Sequence, residues 1–389
     1  MAKNKSQTTD NKIHFATIFN YGIENLHFKK ELFKIPHYLS QYQDFKVTFI
    51  ALAKEQIHKE SIDSVKGVKV RIVGTKKSYS TIPNLLLIFE LIKLSNKIQI
   101  LNLYHLNSST IVYGIIYKLI NPHGKIYLKL DIDLRPHDFY TKKNIISKIK
   151  RHFLYKYTKH ISVENKLALN NLIQKFPDLE PRILYLPSGI DVPSQEVLNA
   201  INQNIKENII ITVGRIGTRQ KNNELLLKAI TNIELNGWKV YIIGKIEDTD
   251  YLKFIDEYYI NYPHLKDIVI HTGLIENTEK MIEFYTKSKI FCLTSSWESF
   301  GLVLIEAILY GNFVISTNIE SINEISDNGK YAKIIEKNDD IQLAEAIKMG
   351  MQYVTENENN IKLQQDYICN HFDWQNIVHI LRRELINKI

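Results

Sequence analysis

Short, continuously apolar runs rich in β-branched residues alternate with stretches of helical period along nearly the whole chain. Ile209-Ile-Ile-Thr-Val213 and Val240-Tyr-Ile-Ile243 typify the runs. A strand that is apolar on both faces belongs to a sheet covered by helices on both sides, the usual setting of a parallel sheet. Such runs fall at 13–19, 45–52, 68–74, 98–105, 125–132, 160–164 and 182–186, then at 208–214, 238–244, 267–272, 289–294, 313–317 and 331–336. Strands alternating with helices predict open, doubly wound sheets. Seven strands followed by six are too many for one compact sheet, so two α/β domains are expected. The boundary falls in 187–207, where Pro187-Ser-Gly-Ile-Asp-Val-Pro-Ser194 runs into a polar stretch that reads as a linker. At the C-terminal end, Phe372-Asp-Trp-Gln-Asn-Ile-Val-His-Ile-Leu-Arg-Arg-Glu-Leu-Ile386 has the pattern of an amphipathic helix with Asp373 as its N-cap.

Size and composition agree with two ordinary domains: 389 residues, 44% hydrophobic and 11% aromatic. Two cysteines exclude a disulfide framework, and Cys292 lies in an apolar run where it reads as a small core residue. No apolar run approaches the roughly 18 residues that a membrane span needs. The first eleven residues are polar with no apolar signal region behind them, so a cytoplasmic protein is expected. Charge is divided unevenly. Residues 1–190 hold 30 Lys and Arg against 14 Asp and Glu, a balance of +16; residues 191–389 hold 20 against 28, a balance of −8. The first half is therefore expected to meet an anionic surface, for which nucleic acid and anionic membrane are the candidates.

The chemistry concentrates in the second half. Thr294-Ser-Ser-Trp-Glu-Ser-Phe-Gly-Leu-Val-Leu-Ile-Glu-Ala307 follows the strand-like Lys289-Ile-Phe-Cys-Leu293. A strand that passes through Ser and Gly into a helix aims free N–H groups and the positive end of a helix dipole at one spot, which suits a phosphate. Glu306 would lie inside the helix and Glu298 just before it, which suits a ligand with hydroxyls at both ends and an anion between. A buried helix with two exposed glutamates would show the same letters. Upstream, Ile210-Ile-Thr-Val-Gly-Arg-Ile-Gly-Thr-Arg-Gln-Lys-Asn-Asn-Glu224 ends a strand at Gly214 and starts a helix near Asn223. Arg215 and Lys221 in the intervening loop can converge on a diphosphate at the carboxyl edge of the sheet. A solvated basic loop is the plain alternative.

Together, Gly-Arg-x5-Lys-Asn and the Glu-x7-Glu segment resemble the retaining glycosyltransferases of family 4, of the kind that builds bacterial surface polysaccharides. The similarity is nearly continuous over the second domain and looser over the first, through Tyr185-Leu-Pro-Ser-Gly-Ile-Asp191 and His160-Ile-Ser-Val-Glu164. The resemblance implies the GT-B fold, two Rossmann-like doubly wound domains facing a cleft. An acceptor-binding domain would span 12–190, a nucleotide-sugar domain 205–371, and a helix in 372–389 would cross back to the first domain. It further implies that Arg215 and Lys221 hold the donor diphosphate, Glu306 binds the ribose hydroxyls and Glu298 the transferred sugar. The backbone of Phe300, Gly301 and Leu302 would complete the cradle. Gly22, in Asn20-Tyr-Gly-Ile-Glu24 after the first strand, would face the diphosphate; that loop has one Gly where many members have two.

One departure concerns a histidine that many members carry late in the first domain. The matching segment, Ile126-Tyr-Leu-Lys-Leu-Asp-Ile-Asp-Leu134, places Asp131 there, with Asp133 on the same strand face. Asp131 is read as a carboxylate that orients the acceptor; the Asp-x-Asp pair also admits a metal, although the GT-B fold generally works without one and no cofactor is expected. His105 in Leu103-Tyr-His-Leu106 is a second candidate on the acceptor side. Residues 142–159 carry seven Lys and Arg, no acid, and apolar residues at helical spacing, the make-up of a helix that lies on an anionic membrane. Nucleic acid is disfavoured because no recognised binding module accompanies the charge. The expectation is a metal-independent, retaining transfer of a hexose from a nucleotide diphosphate sugar, UDP being the family's commonest, to a glycan or lipid-linked saccharide at the inner face of the plasma membrane. Rival readings are a nucleotide-sugar epimerase of the same fold and a non-catalytic partner subunit. A dehydrogenase is disfavoured because no Gly-x-Gly-x-x-Gly turn follows the first strand.

Overall fold

The computed structural model describes residues 12–76, 81–130, 145–356 and 361–387. It divides into two units, Met1–Pro187 with Trp374–Ile389, and Ser188–Asp373. The first unit holds seven strands: β1 (Ile13–Ile23), β2 (Phe45–Ala53), β3 (Val68–Thr75), β4 (Ile100–Tyr104), β5 (Lys125–Leu130), β6 (Thr158–Val163) and β7 (Ile183–Tyr185). Their order in the sheet is β3-β2-β1-β4-β5-β6-β7, and every pairing is parallel. The helices between them are α1 (Glu31–Ser40), α2 (Lys59–Asp63), α3 (Leu85–Leu94), α4 (Ser108–Ile120), α5 (Ile145–Tyr157) and α6 (Lys166–Lys175).

Strand alternation builds a core on each face of this sheet. Phe15, Val47, Phe49 and Tyr127 enter one; Ala16, Ile50, Ile126 and Leu128 enter the other. This period of two is what continuously apolar strands produce when both faces are covered.

The second unit has six parallel strands, β8 (Glu207–Val213), β9 (Lys239–Ile243), β10 (Val269–Gly273), β11 (Ser288–Leu293), β12 (Phe313–Thr317) and β13 (Ala332–Ile335), in the order β10-β9-β8-β11-β12-β13. Its helices are α7 (Gln195–Asn202), α8 (Asn223–Ile230), α9 (Thr249–Asn261), α10 (Thr278–Lys287), α11 (Leu302–Leu309), α12 (Ile322–Ile325), α13 (Asp340–Glu356) and α14 (Ile361–Phe372). Two parallel sheets of seven and six strands match the architecture expected from the pattern of apolar runs.

The stretch expected to be a linker is not one. Residues 195–202 form α7, with Ser194 accepting at its N-cap from the Val197 N–H. Leu198 and Ile201, three residues apart and so on one helix face, pack into a core of the second unit. Two apolar positions in a polar stretch were too weak a period to read. At the other end, α15 (Trp374–Asn387) buries Trp374, Ile377, Val378, Leu381 and Leu385 in the first unit. Arg382 fixes it there, with its guanidinium on both Asp44 carboxylate oxygens and its Cζ 4.7 Å from the centre of the Tyr42 ring.

Candidate functional site

In the second unit the chain leaves β8 towards one edge of the sheet and returns to β11 on the other side of β8. Strand order reverses at this pair, and open α/β sheets bind ligands where such a reversal opens their carboxyl edge. The loops after the two strands, 214–222 and 294–301, are tied to each other. The Ser296 N–H donates to the Gln220 carbonyl at 2.8 Å, and the Thr294 hydroxyl to the Lys221 carbonyl at 2.9 Å. Gln220 Nε2 reaches the Trp297 carbonyl at 3.0 Å. From β12, the Thr317 hydroxyl donates to the Ser295 carbonyl at 2.6 Å.

These ties bring Lys221 and Glu298 together. Lys221 Nζ lies 2.6 Å from Glu298 Oε1, with the two side chains only 13% and 10% exposed. The Ser295 hydroxyl donates to the same oxygen at 2.5 Å, and Gln220 Nε2 faces Oε2 at 3.5 Å. Arg215 stands farther out: its guanidinium donates to Gln220 Oε1 and lies 3.6 Å from Glu247 Oε2, with more than half its side chain exposed. Gln220 thus bridges Arg215 and Glu298, with its oxygen on the guanidinium and its nitrogen toward the carboxylate that Lys221 holds. Gln220, Ser295 and Glu247 were not singled out from the sequence; hydrogen-bonding side chains in polar loops carry no periodic signal.

Helix α11 starts at Gly301 with no side chain capping it, which leaves its first-turn N–H groups available to an anion. Phe300 serves as an anchor below, buried in the core with its ring 5.9 Å from that of Phe372. Its carbonyl accepts from the Ser321 hydroxyl. Leu302 is partly buried against the same core. Within α11, Glu306 accepts from the Tyr285 hydroxyl at 2.7 Å, and Tyr285 stacks on Tyr310 at 5.7 Å. Burial raises the Glu306 carboxyl above its ordinary pKa, against the opposing effect of the Tyr285 hydrogen bond. The two glutamates therefore differ: Glu298 is ion-paired, whereas Glu306 is desolvated beside a neutral donor.

The β8 loop depends on close backbone contact at Gly244. A Cβ there would lie 1.7 Å from the Gly214 carbonyl oxygen, a backbone atom with nowhere to go. Gly244→Ala should therefore lower stability by about 1–3 kcal/mol. Urea denaturation checks this; an unchanged midpoint would show that the loop is not built on this contact.

The first unit has its own reversal point between β1 and β4. Gly22 was expected in a loop after the first strand, but β1 continues through it to Ile23, which pairs with Ala53 after a register irregularity between Phe19 and Ile23. Gly22 takes φ +78°, and a Cβ would fall 2.8 Å from Lys54 Cγ and 3.1 Å from the Lys76 carbonyl oxygen. His105, just past β4, is also in the left-handed region at φ +58°, which is uncommon outside glycine and worth noting at a sheet edge. Its ring lies 5.8 Å from that of Tyr21. Nearby, the fully buried Lys129 pairs with Glu31 and, at 3.3 Å, with Glu164. Asp131, Asp133 and residues 142–144 lie outside the described residues.

A family model described as "Glycosyl transferases group 1" matches residues 194–366, nearly the whole second unit. An uncharacterised 41.2 kDa protein from the cps region of Klebsiella pneumoniae is 28% identical over 279 residues, covering 67% of this chain and 72% of that protein. An amylovoran biosynthesis glycosyltransferase of Erwinia amylovora is 34% identical over 106 residues, 27% of this chain and 28% of that one. Among solved structures, Anabaena HepE in complex with UDP superposes with a TM-score of 0.72 at 14% identity, covering 97% of this chain and 100% of HepE. The fold is GT-B, and the similarity to the group 1 glycosyltransferases lies in the second unit.

Proposed function

We propose that this protein transfers a hexose from a nucleoside diphosphate sugar to a saccharide acceptor with retention of anomeric configuration. The observation that carries the reading is the Lys221–Glu298 pair, held at the strand-order reversal beside the open N-terminus of α11. Lys221 and Arg215 bind the donor diphosphate, and the first-turn N–H groups of α11 add the helix dipole. As the bond from the anomeric carbon to the phosphate oxygen breaks, negative charge grows on the diphosphate, and these fixed positive groups stabilise it. The acceptor oxygen bonds to the same face of the anomeric carbon, and its proton passes to the departing phosphate oxygen. This scheme needs neither a protein nucleophile nor a metal. Glu298 receives hydroxyls of the transferred sugar, Glu306 those of the ribose. UDP is the favoured carrier, supported by the UDP bound to HepE.

On the first unit, Gly22 at the end of β1 faces a ligand phosphate, and His105 with Asp131 serves the acceptor. Two lines support a lipid-linked glycan in surface-polysaccharide assembly: relatives from a cps region and from amylovoran synthesis, and the basic segment 142–159, whose described part is not one helix but α5 followed by the first two residues of β6. In the structure α5 turns Phe153 and Leu154 into the core while Ile145, Ile146, Lys148 and Ile149 face solvent. That mixed face suits peripheral attachment to an anionic membrane. Among the described residues no helix is long and apolar enough to cross a bilayer.

The test is incubation of the protein with UDP-hexoses and saccharide acceptors, the product read by NMR. An α-linked donor should give an α-linked product. A β-linked product, or donor epimerisation without acceptor, would sink the reading.

The raised Glu306 pKa adds a pH signature. The ionised carboxylate accepts from a ribose diol; its protonated form is the poorer acceptor. Affinity for UDP should thus fall as pH drops through a value above the ordinary carboxylate range, and Glu306→Gln should remove this acid limb. Calorimetric titration at several pH values decides it. A limb that persists in the variant would assign it to another group.

A further inference from the structure

In a surface helix the exposed positions are normally polar. α3 breaks this rule: of its five exposed positions, Leu85, Leu86, Phe89, Ile92 and Lys93, four are apolar. Leu85 is 70% and Phe89 60% exposed, and Ile82, just before the helix, is 72% exposed. Leu85, Phe89 and Ile92 are spaced by four and three residues, so with Leu86 they form one continuous stripe. The opposite face, Leu87 and Leu91, is buried in the same core that takes Phe153 of α5. α4 packs against both α3 and α5 and itself exposes Leu119. The apolar stripe and the basic helix thus belong to one helical layer.

We infer that the α3 stripe is the part of the first unit that inserts into an anionic bilayer, with α5 lying on the headgroups beside it. Charge selects this occupant over a second copy of the chain. Residues 1–190 carry a balance of +16, so pairing two such faces sets like charge against like, whereas anionic lipid neutralises it. The hydrogen bonds at the start of α3 connect the stripe to the strand-order reversal of this unit. Asn20 Nδ2 donates to the Ile82 carbonyl at 3.1 Å, the Tyr113 hydroxyl to Asn20 Oδ1 at 2.6 Å, and the Asn84 N–H to the Tyr113 oxygen at 2.8 Å. Seating α3 in the bilayer therefore sets the carboxyl edge carrying Gly22 at the lipid surface, where a lipid-linked saccharide presents its sugar. The inference rests on the membrane-facing part of the proposed function.

The experiment uses the full chain with an environment-sensitive fluorophore on Phe89→Cys in a Cys369→Ser background; Cys292 is buried. Vesicles of phosphatidylcholine with and without phosphatidylglycerol are added, with UDP binding measured on the same preparation. The expected result is an emission rise and blue shift with phosphatidylglycerol vesicles only, and protection of the label from a water-soluble quencher. In the unlabelled protein, Leu85→Ser with Phe89→Ser should weaken vesicle binding at least about tenfold while leaving UDP affinity and thermal midpoint unchanged, because both side chains are exposed. Vesicle binding with the label still in water would overturn insertion of α3 but leave peripheral attachment standing. Absence of binding to any vesicle would overturn both, and UDP binding would then report separately on the donor site. A dimer abolished by the double substitution would also overturn the inference, in favour of a second copy.

Discussion

Lys221→Met should lower the rate of sugar transfer by about 10²–10³-fold, the usual effect of removing one fixed group that stabilises developing charge. The structure gives this residue two tasks. Its ammonium stands at the strand-order reversal where the diphosphate is proposed to lie, and it holds Glu298 at 2.6 Å. Without it, Glu298 keeps the Ser295 hydroxyl at 2.5 Å and the more distant Gln220 amide, but loses its cation while still largely buried. Arg215→Met should have a smaller effect, because Arg215 is at the exposed rim and shares its hydrogen bonds with Gln220 and Glu247. Steady-state kinetics with a UDP-hexose separates the two. Equal losses for both variants would mean that burial does not rank these cations.

The largest effect on stability is expected from Lys129→Met. Lys129 is fully buried between Glu31 and Glu164. Those two carboxylates hold the ammonium charged, well above the ordinary lysine pKa, although burial alone pulls the other way. Removing the cation leaves the carboxylates facing each other in a medium that solvates them poorly, and breaking a buried pair in this way costs about 3–5 kcal/mol. Lys253→Met, which removes the exposed Lys253–Asp250 pair, should leave the urea midpoint unchanged. A Lys129 variant as stable as the parent would show that water already reaches the cluster. Since Glu31 opens α1 and Glu164 follows β6 at the carboxyl edge, the cluster also braces the elements around the first unit's strand-order reversal.

What could be read from the chain, and what could not, divides along the range of the interaction. Strands such as Ile209-Ile-Ile-Thr-Val213 announce themselves because burial on both faces leaves room for little but apolar and β-branched residues in a short window. Two sheets of seven and six strands were legible for that reason. Lys221 and Glu298 are 77 residues apart, and no periodicity connects them; they meet because β8 and β11 are sheet neighbours. Each stands out within its own loop, but nothing in the sequence announces their ion pair, nor Gln220, which accepts from Arg215 and turns its amide nitrogen toward Glu298. Lys129 was invisible for a similar reason. In Ile126-Tyr-Leu-Lys-Leu130 it reads as a polar break in a strand, and its partner Glu164 is 35 residues away. α7 was missed because Leu198 and Ile201 are too few to mark a period, and β1 was cut short because Asn20-Tyr-Gly22 has the composition of a loop. The basic helix was legible as basic; that α3 nearby carries the apolar stripe emerges only once α3, α4 and α5 stand in one layer.

The central claim is that the β8–β11 edge of the second unit holds a nucleoside diphosphate sugar. Isothermal titration of the full chain with UDP-hexose, in parallel with Lys221→Met and Glu306→Gln, tests it most directly. One site per chain is expected, with binding weakened in both variants and the parent protein stabilised against urea by about 2.7 kcal/mol at one hundred times its dissociation constant. Binding of equal strength to the parent and to both variants would place the nucleotide elsewhere and contradict the account.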